Sequence, residues 1–194
     1  MRTRRWIGWL VVTTMLMLTM AMHRTEREIT FTGGTPTQRA MARWAVGRFE
    51  AEGLRLPSLE IRFHMSPNGC GGRMGSYQAG AADYCGEHDN QRGRRMLLHE
   101  MAHGWVEASV SADLKVRFLR LRQLEAWNDH GMDWEERGTE HAAEIISWAI
   151  CDQGTGTHNA SIPRNDPGQL ASAYLLLTDR QLPKLTADTN CAVS

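Results

Sequence analysis

Two histidines separated by three residues, with a glutamate directly after the first, are the side chains here best suited to chemistry. They lie in Leu98-His99-Glu100-Met101-Ala102-His103-Gly104, an H-E-x-x-H. A helix turns by about 100° per residue, so His99 and His103 share one face, one turn apart. Both imidazoles can then reach a single metal ion. Glu100 sits a step round the same helix, close enough to touch a water on that ion without being a ligand. Zinc acidifies such a water, and a neighbouring carboxylate can take its proton as the water attacks a carbonyl. The surroundings favour a metal over incidental histidines. Leu97, Leu98, Met101, Ala102 and Trp105 are uncharged, as suits a helix buried around its metal-binding turn, whereas a surface helix would carry Lys or Glu there.

Such a site needs a third protein ligand and a vacant position for water. The longer pattern H-E-x-x-H-x-x-G-x-x-H fails, because Val106 and Ser109 occupy its Gly and His positions; that excludes the metzincin type. Asp113 is a conceivable ligand without a supporting pattern. Glu140 is the better candidate, in Arg137-Gly138-Thr139-Glu140-His141-Ala142-Ala143-Glu144-Ile145-Ile146. Glu140 and Glu144 are one helical turn apart, and Ile145, Ile146, Trp148 and Ala149 would dock that helix on the core.

With these two motifs the chain resembles the gluzincin metallopeptidases, in particular their small single-domain members. The run Trp134-x-x-Arg137-Gly138-x-Glu140 is also similar to one in exported actinobacterial proteins. The resemblance covers mainly residues 92 to 150. It implies a zincin-like fold, with zinc held by His99, His103 and Glu140, and Glu100 as general base cleaving a peptide or protein substrate. It also implies that Glu144 hydrogen-bonds a ligating histidine, which fixes the ring tautomer and strengthens the donor. Glu144 departs from the aspartate common there in larger relatives. The residue that steadies the oxyanion in those enzymes has no clear counterpart; Tyr77, Tyr84, His141 and His158 are the candidates. Trp134 and Arg137 are read as positioning the second helix, with an ion pair from Arg137 to Glu135 or Glu144 as the plainer alternative.

The elements that must present these residues follow from capping and periodicity. Thr35-Pro36-Thr37-Gln38 opens a helix with a capping box, whose stripe is Met41, Trp44, Ala45 and Phe49 and whose stop is Gly53. Leu59 to Phe63 alternates as a half-buried strand does. Gly75 to Ala79 is a second candidate strand. Helices are expected over 92–106, over 112–127 with the stripe Leu114, Phe118, Leu121 and Leu124, and over 138–150. Asp166-Pro167 opens a last one running through Leu177. Residues 24–34 read as a polar connector. The fold class is therefore α+β, mostly helical, with a short sheet preceding the H-E-x-x-H helix. The Gly-rich run before that helix has two readings: an edge strand that pairs with an extended peptide, or a disulfide-held surface loop.

The chain holds 22 Lys plus Arg against 22 Asp plus Glu in 194 residues. That balance argues against a nucleic-acid partner, and the 42% hydrophobic share excludes disorder for most of the chain. Arg2, Arg4 and Arg5 precede an uncharged stretch from Trp6 to Met22, which reads as a signal peptide or an N-terminal signal anchor. Residues 1–26 are assigned to that segment and 27–194 to the zincin-like domain, placed outside the cytoplasm as a secreted or membrane-anchored protein. Membrane contact is expected only through the anchor. Four cysteines fit an oxidising compartment. Short loops cost less entropy to close, which favours Cys70–Cys85 and Cys151–Cys191; the rival is a structural zinc site of His64, Cys70, Cys85 and His88. The expected function is a zinc-dependent peptidase. A non-catalytic zinc-stabilised envelope binding module and a metal-free helical protein are the alternatives.

Overall fold

In the computed structural model, residues 27–86, 89–157, 159, 161–186 and 191 are described. The segment assigned to signal or anchor, His158 and His88 lie outside them. Among the described residues, no helix is long and apolar enough to cross a membrane.

The fold is α+β, as expected. Four short strands, β1 (Ile29–Thr32), β2 (Leu59–Phe63), β3 (Gly75–Gln78) and β4 (Ala81–Tyr84), form one sheet in the order β1-β2-β4-β3. β2 is parallel to both β1 and β4, while β3 runs antiparallel to β4 at the sheet edge. Leu59, Ile61 and Phe63 of β2 are buried and Glu60 and Arg62 are not, the alternation expected of a half-buried strand. The hairpin between β3 and β4 turns on Ala79 and Gly80, both with positive φ (49° and 83°), the backbone that a two-residue hairpin turn requires.

Two strands were not anticipated. The connector 24–34 contains β1, whose Ile29 and Phe31 pack partly on the core while Thr30 and Thr32 face out; four residues are too few for that alternation to stand out from polar neighbours. In β4 every residue is buried, so it lacks the alternation that marks a strand.

Among the described residues there are five α-helices, α1 (Pro36–Ala51), α2 (Gln91–Ser109), α3 (Ala112–Arg122), α4 (Gly138–Cys151) and α5 (Pro167–Thr178), and α2 packs on β3 and β4. The caps read from sequence form. Thr35 and Gln38 make the reciprocal capping box of α1, and the Asp166 side chain accepts from Gln169 N at the start of α5. α3 is shorter than expected, by the five residues from Gln123 to Trp127. Gln123 takes a left-handed conformation (φ 54°), Leu124 N–H bonds back to Leu119 O, and the chain turns to bridge Ala126 with Arg137. Its buried face is also displaced. Phe118 is enclosed, but Leu121 is 41% exposed and Arg122 is 2% exposed in its place. The guanidinium can be buried because it donates to the carbonyls of Pro163 and Arg164 and to His141 Nδ1.

α2 and α4 are the structural axis. Ser147 Oγ donates to Arg95 O, His99 meets Glu144, and His103 meets Glu140. Residue numbers rise on one helix as they fall on the other, so the two run antiparallel with turns in step. α4 is buried on nearly every side. Disulfides Cys70–Cys85 and Cys151–Cys191 both form. With those sulfurs bonded to each other, the rival zinc set is not assembled, and His64 pairs with Asp83 instead. Two disulfides suit an oxidising, extracellular environment.

The start of α4 fits closely against the end of α3. A Cβ on Gly138 would lie 2.7 Å from Leu119 Cδ2 and 3.0 Å from the Trp127 ring. Gly138→Ala should therefore lower stability by about 1–3 kcal/mol, read from urea unfolding midpoints; an unshifted midpoint would show that this contact is slack.

Candidate metal centre

His99 Nε2, His103 Nε2 and Glu140 Oε2 converge on one point. The two nitrogens are 3.1 Å apart, and each is 3.2 Å from the carboxylate oxygen. Three electron-rich atoms at such separations repel unless a positive charge lies among them. Tetrahedral zinc with bonds of about 2.0–2.1 Å would hold its ligand atoms roughly 3.3 Å apart, so the triangle has the right size for that ion. The donor set, two imidazoles and one carboxylate, is also chemically suited to it.

The groups behind the triangle fix which atoms face inward. His99 Nδ1 lies 3.2 Å from Glu144 Oε2. An ionised carboxylate only accepts, so Nδ1 carries the proton and Nε2 presents its lone pair. His103 Nδ1 lies 3.3 Å from the Thr139 hydroxyl, which can accept from it in the same way. Aromatic rings flank the pair: Trp134 stacks on His99 and Tyr77 on His103, each with centroids 6.0 Å apart.

The electrostatics couple these groups to one another. Burial alone would lower the pKa of His99, but Glu140 and Glu144 overcome it and hold the ring well above its ordinary value. Burial likewise opposes ionisation of Glu140, yet hydrogen bonds from His103 and His99 keep its carboxyl far below the usual range.

Glu100 stands beside this triangle. Its carboxylate and the two histidine ligand atoms lie within 4.8 Å of one another, near enough to share a water. Burial raises its pKa, against the pull of His99, His103 and Arg73. Gly75 of β3 backs it so closely that a Cβ there would lie 2.7 Å from Glu100 Oε1. All these groups open on a cleft of about 920 Å³, walled on one side by β3 and on the other by Trp127, His130 and Trp134.

The structure thus brings His99, Glu100, His103, Glu140 and Glu144 together. The oxyanion candidates fare differently. Tyr84 is enclosed in the core, its hydroxyl against Gly86. His141 is fully buried between Arg122 and the Glu135 carbonyl. Tyr77 reaches the cleft, but its hydroxyl donates to Glu107 and accepts from Gly80 N–H. Asp113 lies on a different groove, between α3 and α5. Arg137 donates to the carbonyls of Met132 and His130 and so holds the loop ahead of α4. His130 is a cleft residue that sequence reasoning missed, since an exposed loop carries no periodic signal. Set beside known proteins, the chain matches no family model, no curated protein and no solved structure.

His141, next to Glu140, gives this region a pH dependence. Burial is the main cause that lowers its pKa, to about 4. An unfolded histidine binds its proton near pH 6.5, so between about 6.5 and 4 the unfolded chain holds the extra proton. Stability from this group is complete above that window and lost as pH falls through it. Urea unfolding should show an acid loss of the order of 2–3 kcal/mol that is reduced in His141→Gln. Equal pH slopes in the two proteins would contradict it.

Proposed function

We propose that this protein is an exported zinc-dependent hydrolase of the gluzincin type, and that it cleaves peptide bonds. One observation carries the reading: the His99, His103 and Glu140 donor atoms meet at 3.1–3.2 Å with the Glu100 carboxylate alongside. A zinc ion in this position supplies Lewis acidity, which lowers the pKa of water and polarises a carbonyl.

The chain's own residues do the rest. His99, His103 and Glu140 would hold the ion, and their lone pairs face it because Glu144 and Thr139 engage the opposite imidazole nitrogens. Glu100 takes the proton of the attacking water and passes it to the departing amine. Gly75 lets β3 approach close enough to confine the carboxylate.

A peptide is favoured over other carbonyl substrates by the outer side of β3, on which no strand pairs among the described residues. That strand lies at the sheet edge and lines the cleft beside Glu100 and His103, where an extended chain can add as a further strand. The two disulfides fit a role outside the cytoplasm.

Metal analysis and a peptide-library digest test the reading together. Purified protein should hold one zinc per chain and cleave peptides; a strong chelator should abolish cleavage, and zinc should restore it. Glu100→Gln should keep the zinc and lose about 10²–10⁴-fold in kcat, while His103→Ala should lose both. Full activity in Glu100→Gln would remove its role as base. Stoichiometric zinc with no cleavage would leave a zinc-stabilised binding module. Separately, Gly75→Ala should lower kcat while leaving zinc content unchanged, because its methyl displaces Glu100 rather than the metal ligands.

A further inference from the structure

The wall of the cleft formed by β3 has a polarity. The Cys85 N–H donates to Met74 O at 2.8 Å, which sets the phase of the pairing between β3 and β4. In an antiparallel ladder alternate residues bond to the partner strand or turn away from it. Given the register of Gly75 with Tyr84 and Tyr77 with Ala82, the backbone groups of Gly75 and Tyr77 turn outward, into the cleft that both residues line.

An exposed charge stands at each end of this short edge, while the other two cations lining the cleft are engaged elsewhere, Lys115 over the Trp127 ring and Arg137 on the Met132 carbonyl. At its amino-terminal end Arg73 is exposed and lines the cleft, two residues before the Gly75 that abuts Glu100. At its other end the Glu107 carboxylate accepts the Tyr77 hydroxyl, which pins it at the rim next to His103. A strand rises about 3.3 Å per residue, so the two charges are set roughly four residues apart along a bound chain. Antiparallel pairing is the more stable way to extend the sheet. A peptide added in that sense has its amino-terminal half over Tyr77 and its carboxy-terminal half over Arg73.

We infer that the cleft selects peptides by charge order: a cationic side chain toward the amino terminus, facing Glu107, and an anionic one toward the carboxy terminus, facing Arg73. This rests on the peptidase reading above. It goes further by naming the substrate class and the two residues that set it. Neither residue touches the reacting atoms; both act by steering and orienting the chain. The Tyr77 hydrogen bond adds to this, because it holds the Glu107 carboxylate in one position and so reduces the ordering cost of binding a cation.

The test uses the full chain, produced with both disulfides formed and zinc added. Binding of hexapeptides with capped termini is followed by tryptophan fluorescence in Glu100→Gln, since Trp127 and Trp134 line the cleft, and cleavage of the same peptides is followed in the native protein. One peptide carries Lys in its amino-terminal half and Glu in its carboxy-terminal half; a second carries them in reverse. At about 50 mM salt, where screening is weak, the first should bind about tenfold more tightly. Glu107→Gln should cut the preference to about threefold, since Arg73 still contributes its share, and the exchange of both charges, Glu107→Lys with Arg73→Glu, should invert it. Both sites are exposed, and unchanged circular dichroism and urea midpoints would confirm that the variants fold. Equal affinity for the two peptides, or a preference that survives the double exchange, overturns the inference. Cleavage without charge preference does the same while leaving the peptidase reading intact. Binding with the stated polarity but no cleavage by native protein sinks the peptidase reading and leaves the charge order as the specificity of a peptide-binding groove.

Discussion

The antiparallel contact of α2 with α4 holds two imidazole nitrogens and a carboxylate oxygen against one another at 3.1–3.2 Å. Three such donor atoms facing one point could hold a metal ion. The surrounding structure keeps them in that arrangement. Glu144 sits one turn beyond Glu140 and engages the far nitrogen of His99, which prevents the ring from turning its lone pair away. Thr139 does the same for His103 from the first turn of α4. Ser147 ties the two helices together two turns from the centre, where its hydroxyl donates to the Arg95 carbonyl.

Burial makes the arrangement costly and specific at once. His99, Glu100 and Glu144 are almost wholly withdrawn from solvent, where unpaired charge is expensive. The raised His99 pKa and the lowered Glu140 pKa share one cause, the close contact of imidazole with carboxylate. The second buried polar assembly, Arg122 with His141, has another purpose. His141 follows Glu140 in sequence but points into the core, and its neutral ring links α3, α4 and the loop before α4. The residue beside a candidate ligand thus anchors the helix that carries it.

The sheet contributes a wall rather than a ligand. β3 reaches Glu100 because residue 75 has no side chain, and it reaches His103 because Tyr77 lies flat against the ring. Cys70–Cys85 closes the segment that contains this hairpin. The Gly-rich stretch is therefore both a disulfide-held segment and an edge strand, and the two sequence readings of it describe the same element.

The sequence alone determined whatever depends on local chemistry. The H-E-x-x-H placed two histidines on one helical face, because 3.6 residues per turn does so for any such spacing. Thr35 with Gln38 and Asp166 with Pro167 marked helix starts through caps that need only neighbouring residues. The alternation in Leu59–Phe63 fixed a half-buried strand, and loop-closure entropy favoured the observed cysteine pairs. Tertiary structure decided the rest. Burial of Arg122 in place of Leu121 depended on carbonyls some forty residues downstream, which no hydrophobic stripe can anticipate. β4 was hidden because a strand covered on both faces loses the alternation that identifies it. Above all, only packing could bring Glu140 to His99 and His103 across 37 residues or more. Spacing along the chain sets which side chains share a face, but the distance between two faces is set by how the helices dock.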